Sequence, residues 1–424
     1  MNSRGQNRFL TGSIASFGNI SALLCCIAIL TGCAERPPKT PTSQMDADER
    51  FWVRVLLLDD IKECSLSVRS PFSVINAQTQ TTEAHFGELP TSTAVTLSAG
   101  RITVGTLAFA ADRLIISPDE PHIFRLDGRD YRGKLMLVTN QDTRSFDAIN
   151  LVPLEPYLAG VVGAEMPQYW EQAALEAQAV AARTYCLYIK RRFGPKRAWD
   201  VRATQANQVY NGIAAESAQI WNAVNATFGR VLECRHPDKK TSIFPAYYSS
   251  SCGGHTEDSS NVFGDSFEAL RGVPCPHCRQ VARPSVFFWK TVYFDKATVT
   301  SRLLKKYPNL DRLGKITKIV PVAKSDHGSF TRLTRIKLLG STGKRDSLRA
   351  EDLRLTIDPS GRKIKSTNCT IVDMGDKWAF LDGRGFGHGV GMCQCGAQAL
   401  ARKAKNAEQI LEYYYPDAKI KYIY

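Results

Sequence analysis

The sequence predicts an α+β protein, with β-rich N-terminal and auxiliary modules around a helical core. Three observations carry this reading. Residues 51–148 alternate apolar and polar positions, as in Ser65-Leu66-Ser67-Val68 and Ile102-Thr103-Val104, the pattern of strands with one buried face. Residues 170–193 are Ala-rich with no internal Gly or Pro, and Gly194-Pro195 follows them, which reads as one long helix and its stop. Beyond it, residues 149–424 hold the polar and Gly-rich motifs, interrupted by a second β-rich stretch at about 285–375.

The first residues indicate where the chain works. Arg4 and Arg8 precede a short apolar run, Ser21 to Leu30, which ends at Leu30-Thr31-Gly32-Cys33. The run falls short of the ~20 residues that span a bilayer. It reads as a signal peptide over residues 1–33, and its ending resembles a bacterial lipoprotein cleavage box. That resemblance makes Cys33 the lipidated first residue of the mature chain; an ordinary signal peptide with an incidental cysteine is the alternative. Residues 34–50, rich in Pro, Thr, Ser and Gln at their start, read as a tether. The expectation is an exported lipoprotein, anchored to a membrane through lipid and facing the periplasm or cell wall.

The net charge is +14, and removing residues 1–33 takes away two arginines and no acids, leaving +12. An exported basic protein suits an anionic polymer or membrane surface. Export, with no DNA- or RNA-binding motif, argues against nucleic acid.

The strands begin with Trp52 to Leu58, a buried-strand run, and turns such as Asp127-Gly128 and Arg132-Gly133 punctuate later ones. No chemical constellation falls in this module. The first one is Val161-Val162-Gly163-Ala164-Glu165-Met166-Pro167. An apolar setting raises a carboxyl pKa, which suits a general acid near neutral pH. Pro167 biases Met166 away from helix, so Glu165 falls on a bend. The plain alternative is an acid that caps or solvates that bend.

In the long helix, Ala173, Ala177, Val180, Thr184 and Leu187 fall on one stripe, and Gln178, Arg183 and Tyr185 interrupt the apolar pattern. Arg183 suits an anionic or hydroxyl-rich ligand or a salt bridge. Gln208-Val209-Tyr210-Asn211-Gly212 is a polar loop, and Ala246 to Asp258 runs from a strand into a Gly-kinked loop crowded with polar groups, with a plain hydrogen-bonded turn as the alternative.

Nine cysteines remain after Cys25, Cys26 and Cys33. An odd number cannot all pair within one chain. Cys275-Pro276-His277-Cys278 with Cys252 and His255 offers a ligand set suited to tetrahedral Zn2+. His277 in place of His255, or Cys393 or Cys395, are variants of that set, and disulfides are the competitor in an oxidising compartment. Finally, Gly385 to Gly391 sets four alternating glycines around His388, a loop that lets backbone approach a neighbouring surface closely. Tyr413 to Tyr415 read as core.

The motifs VVGAEMPQYW, LEAQAVAARTY, YYSSSCGGHTED, GRGFGHGVGMCQCGAQALA and ILEYYYPDAKI, in this order over roughly residues 150–420, resemble the SpoIID/LytB family. The resemblance implies a SpoIID-type catalytic core acting on peptidoglycan glycan strands. It places the catalytic acid at Glu165, the helical arginine at Arg183 and the glycine-histidine loop at Gly387 to Met392. Tyr185, Gln208, Tyr210, His388 and Gln394 join Arg183 as candidate glycan-binding residues. The implied activity is that of a lytic transglycosylase forming 1,6-anhydromuramyl products; the alternatives are a hydrolase using Glu257 or Asp258 as second carboxylate, and a non-enzymatic enhancer of a partner amidase. Some members bind zinc beside the active site through Cys and His. Members more often carry Ser and an aromatic residue where this chain has Cys393 and Cys395.

Overall fold

The computed structural model describes residues 49–141, 144–236 and 240–424. The expected signal peptide, Cys33 and the expected tether up to residue 48 lie outside the described residues. Residues 52–153, joined by one parallel edge strand from later in the chain, form two otherwise antiparallel sheets sharing one core. One has the order Val201–Arg202, Trp52–Ile61, Phe146–Pro153, Lys134–Thr139, Arg113–Pro118, Phe72–Asn76, Thr82–Phe86. The other runs Arg129–Arg132, Ile123–Leu126, Glu63–Val68, Leu89–Ser98, Arg101–Val104, Leu107–Phe109. Val53, Val55, Leu114 and Leu135 of the first meet Leu66, Val95, Ile102 and Phe124 of the second.

The expected boundary at 148/149 falls inside the strand Phe146–Pro153. There is a packing reason. The apolar residues of the sandwich and of the helices that follow bury one another in a single cluster running from Val53 to Tyr415. The short strand Val201–Arg202 also returns from the helical region to pair parallel with Val55 and Leu56.

Helix α1 (Leu154–Glu165) leaves that strand directly. It ends at Glu165 because Met166 is extended (φ −128°, ψ 144°) ahead of Pro167. Its glycines serve close packing. A Cβ on Gly163 would lie 1.9 Å from the Ala215 carbonyl oxygen, and one on Gly160 would lie 2.5 Å from the Tyr210 ring. Helix α2 (Gln172–Phe193) follows. The single apolar stripe expected for it is too narrow a description. From Ala174 to Cys186 nearly every side chain is buried, which a helix rich in alanine allows because neighbours can approach it from all sides.

Helices α3 (Ala218–Ala226), α4 (Ser259–Val262) and α5 (Pro284–Phe287) come next. The auxiliary module has its own core, including Trp289, Val299, Leu303, Ile336, Leu353 and Trp378. It comprises α6 (Lys296–Lys306), the antiparallel strands Ile316–Asp326, Thr331–Gly340 and Arg345–Arg349, and α7 (Ala350–Ile357). The chain then returns to the main body for α8 (Gln394–Ala401) and α9 (Ala407–Tyr414).

Candidate active site and metal centre

Glu165 sits at the C-terminal end of α1, mostly buried. Its Oε1 accepts from the Val209 backbone N–H at 2.9 Å, and its Oε2 from Gln394 Nε2 at 3.4 Å. Burial pushes its pKa up, and these two donors pull only partly the other way. Gln394 is set by Gln178, fully buried on α2, whose Oε1 accepts from the same Nε2 at 3.4 Å. Tyr185 and Tyr248 complete the surroundings; their rings are 6.5 Å apart, and the Glu165 charge acts on both.

The Gly-rich loop reaches this place through backbone pairing. Gly385, Gly387, Gly389 and Gly391 all have positive φ, from 69° to 103°, open to glycine without strain. Phe386 and Ser251 exchange backbone hydrogen bonds, Met392 N–H donates to Tyr247 O, and Tyr248–Ser249 pairs parallel with Met392–Cys393. His388 lies between the Tyr247 and Phe263 rings (5.8 and 5.1 Å). Its Nδ1 accepts from Val390 N–H at 3.1 Å, and burial lowers its pKa to about 4. At neutral pH it is an uncharged imidazole.

Three residues expected to touch glycan have other duties. Arg183 is fully buried and forms a bidentate pair with Glu155 at 2.9 and 2.5 Å, while its Nη1 donates to Arg230 O. It is a strut between α1, α2 and the strand Arg230–Arg235. Tyr210 is also interior. Its hydroxyl donates to Asn150 Oδ1 at 2.9 Å, and its ring packs on Tyr131 and Tyr157. Gln208 is buried too, yet it acts at the site indirectly: its Nε2 donates to the Tyr248 hydroxyl at 2.9 Å, and its Oε1 accepts from Tyr157. For Arg183→Ala we expect a loss of about 3–5 kcal/mol, since the buried Glu155 loses the partner of its ion pair. Urea denaturation measures it.

The four sulfurs of Cys252, Cys275, Cys278 and Cys393 lie within 4.8 Å of one another, all buried. Cys252 Sγ and Cys278 Sγ are 3.8 Å apart. A disulfide requires ~2.05 Å. A tetrahedron of ~2.3 Å zinc–sulfur bonds places sulfurs ~3.8 Å apart, so the donor set fits zinc. Outer contacts agree: Cys252 N–H points at Cys393 Sγ (3.3 Å), and the Tyr414 hydroxyl meets Cys275 Sγ (3.1 Å). Hydrogen bonds from the other thiols pull Cys278 far down, toward thiolate.

His255 is therefore not the fourth ligand in this arrangement. Gly253 and Gly254, both at positive φ, turn the chain after Cys252. The His255 ring then bonds Thr256 O through Nδ1 (2.6 Å) and stacks on His327 at 4.2 Å. Cys393 takes the place because the parallel pairing of Tyr248–Ser249 with Met392–Cys393 brings it beside Cys252. Sequence reasoning saw Gln178 only as a break in the apolar stripe, and it missed Tyr248 and Asn207, whose Nδ2 donates to the Tyr185 hydroxyl at 3.3 Å. Tyr248 was visible in the YYSSSC motif as an aromatic at the strand end, but nothing local marked it as facing the acid.

Glu257 is 2% exposed. It is held by His327 Nε2 (3.1 Å), Asn261 Nδ2 (2.9 Å), Ser325 Oγ (2.9 Å) and the nearby Arg332 guanidinium (3.6 Å). Burial alone would raise its pKa; the hydrogen bonds from His327 and Asn261 and the Arg332 charge outweigh that and bring it to about 2. Asp258 caps α4 through Ser260 N–H at 2.7 Å. A depressed carboxyl pKa stabilises the fold above the ordinary value of about 4.5, and that contribution disappears as pH falls toward 2. For Glu257→Gln we expect a stability deficit of up to ~3 kcal/mol at neutral pH that closes between those two pH values, followed by denaturation at stepped pH.

Residues 142–233 match the SpoIID family, described as Stage II sporulation protein. The chain is 32% identical over 294 residues to an uncharacterized protein of Brachyspira hyodysenteriae, covering 69% of this chain and 72% of that protein. It is 30% identical over 362 residues to the amidase enhancer of Bacillus subtilis, covering 76% of this chain and 48% of that protein. It is 28% identical over 288 residues to the stage II sporulation protein D of Bacillus subtilis, covering 64% of this chain and 76% of that protein. These similarities define the class as proteins of cell-wall processes. The chain belongs to the SpoIID/LytB family, a family associated with hydrolytic or lytic activity on the wall.

Proposed function

We propose that this protein is a peptidoglycan lytic transglycosylase with Glu165 as its one catalytic carboxylate. The observation that carries the reading is the state of the acids. Glu165 is held by amide donors alone, with its pKa raised by burial. Glu257 is locked in the interior and Asp258 is occupied as a helix cap. Ordinary glycosidases need two carboxylates about the scissile bond, and in this reading neither Glu257 nor Asp258 serves as the second.

In this reading protonated Glu165 gives its proton to the glycosidic oxygen as the bond to C1 of muramic acid breaks. The resulting carboxylate takes the proton of the C6 hydroxyl as that oxygen closes on C1, giving the 1,6-anhydro ring. One group acts as acid and then base, and water takes no part. Tyr185 and Tyr248 flank the carboxylate, Gln208 holds Tyr248, and neutral His388 shapes the neighbouring wall through Tyr247. Cys252, Cys275, Cys278 and Cys393 would hold zinc, which in an all-thiolate closed site supplies structure. Export as a lipoprotein anchored at Cys33 would place the site at the periplasm or wall.

The similarity to an amidase enhancer favours a second reading, in which the protein binds glycan and stimulates an amidase. Purified protein alone on peptide-stripped glycan separates the two. Anhydromuramyl ends by mass spectrometry support cleavage. Reducing muramic-acid ends indicate a hydrolase, and no product without an amidase indicates the enhancer.

A further inference from the structure

The end of α2 carries a dense group of cations. Residues 190–202 contain Lys190, Arg191, Arg192, Lys196, Arg197 and Arg202 against one acid, Asp200. Asp200 is fully buried and neutralised by Arg54 at 2.7 Å. Arg202 is tied to Asp59 (2.6 Å), and Arg192 faces Asp265 at 3.9 Å. Arg191, Lys196 and Arg197 are exposed and meet no acid among the described residues. Cations in a last helical turn complement its dipole, which accounts for residues 190–192. It does not account for Lys196 and Arg197, which lie beyond the helix.

Two further observations give this surface a direction. It has an aromatic edge: Arg197 lies 4.8 Å from the Phe193 ring and 4.5 Å from the Trp199 ring, and both aromatics are partly exposed. It is also where the chain arrives from its N-terminal segment. Lys190 Nζ donates to the carbonyls of Arg50 (2.8 Å) and Trp52 (2.5 Å), which fixes the first described residues on the end of α2. Residues 34–50 lead from Cys33 to this point, a span of at most ~60 Å when fully extended. If Cys33 carries lipid, as proposed above, that span limits how far the basic patch can stand from the bilayer.

We propose that this patch (Arg191, Lys196 and Arg197, edged by Phe193 and Trp199) docks on an anionic lipid surface and so orients the body below its tether. Exposed Lys and Arg near such a surface gain attraction to anionic headgroups, and partly exposed aromatics suit the headgroup level.

The test uses the chain from residue 33 onward with Cys33→Ser, so that no lipid contributes, in a Glu165→Gln background, so that the result does not depend on cleavage. Co-sedimentation is measured with mixed phosphatidylglycerol–phosphatidylcholine vesicles and with phosphatidylcholine alone. Binding to the anionic vesicles only, weakening with salt, is expected. Arg191→Glu/Lys196→Glu/Arg197→Glu should lower it about a hundredfold or more, with an unchanged melting temperature. Lys315→Glu/Lys318→Glu/Lys324→Glu, exposed cations of the auxiliary module, alters net charge equally and should leave most binding intact. Equal loss in both triple variants, or no loss in the first, overturns the proposal. Reduced pull-down on peptide-stripped glycan with vesicle binding unchanged also overturns it, making the patch a glycan subsite.

Discussion

Glu165→Gln is expected to reduce formation of anhydromuramyl ends by about 10⁴-fold or more, because a single general acid or base contributes ~10²–10⁴-fold and Glu165 performs both steps. The fold should survive. The replacement keeps the shape of the side chain, and its carbonyl oxygen can still accept from Val209 N–H. The sign of the stability change is also fixed. A raised carboxyl pKa means that folding disfavours the ionised form, so stability declines as pH rises through the interval above the ordinary value. Glu165→Gln removes that decline and should be no less stable than the parent at neutral pH. Full activity in this variant would exclude Glu165 as the acid.

The pH profile gives an independent handle on the same group. Cleavage begins with protonated Glu165, so the rate should fall on the alkaline side as the carboxyl ionises. Gln394 Nε2 donates to that carboxylate and favours its charged form. Gln394→Ala should therefore move the alkaline limb to higher pH, whereas a purely structural defect would lower the rate at every pH.

Much of this site was legible because its cause is local. Pro167 ends α1 by holding Met166 extended, so the break beside Glu165 followed from two residues, whereas the helix that carries Glu165 as its last residue was not foreseen. The Gly-rich loop was legible for the same reason, since alternating glycines announce a backbone that others cannot adopt. What the sequence concealed was depth. Arg183, Tyr210 and Gln208 carry polar groups that read as ligand contacts, but each is satisfied inside the protein by a residue far along the chain: Glu155, Asn150 and Tyr157. Buried polar groups are costly unless paired, and pairings across 28, 60 and 51 residues leave no periodic trace. The fold shows the same division. Period-two alternation revealed the strands, whereas the merging of sandwich and helices into one core depended on contacts that no local pattern contains.

Loss of Cys393 is expected to have the second large effect, and it bears directly on which residues hold metal. The parent should contain one zinc per chain, measured on purified protein. Cys393→Ser should lose that zinc, whereas His255→Ala and Cys395→Ser should retain it, since neither belongs to the group of sulfurs within 4.8 Å. The stability consequence follows from magnitudes. Structural zinc sites contribute ~10–16 kcal/mol of apparent binding free energy, comparable with the whole ~5–15 kcal/mol that keeps a domain folded. The three joined segments, around Cys252, Cys275–Cys278 and Cys393, otherwise share short backbone pairings and buried apolar contacts. A fall in melting temperature of more than about 10 °C is therefore expected for Cys393→Ser and for chelated parent protein. The damage should reach the acid as well. Cys393 is followed at once by Gln394, the first residue of α8 and one of the two donors on Glu165. A sample free of zinc whose thiols are found paired as disulfides by mass spectrometry would overturn the metal assignment. It would also require those sulfurs to move closer than the 3.8 Å that separates Cys252 from Cys278.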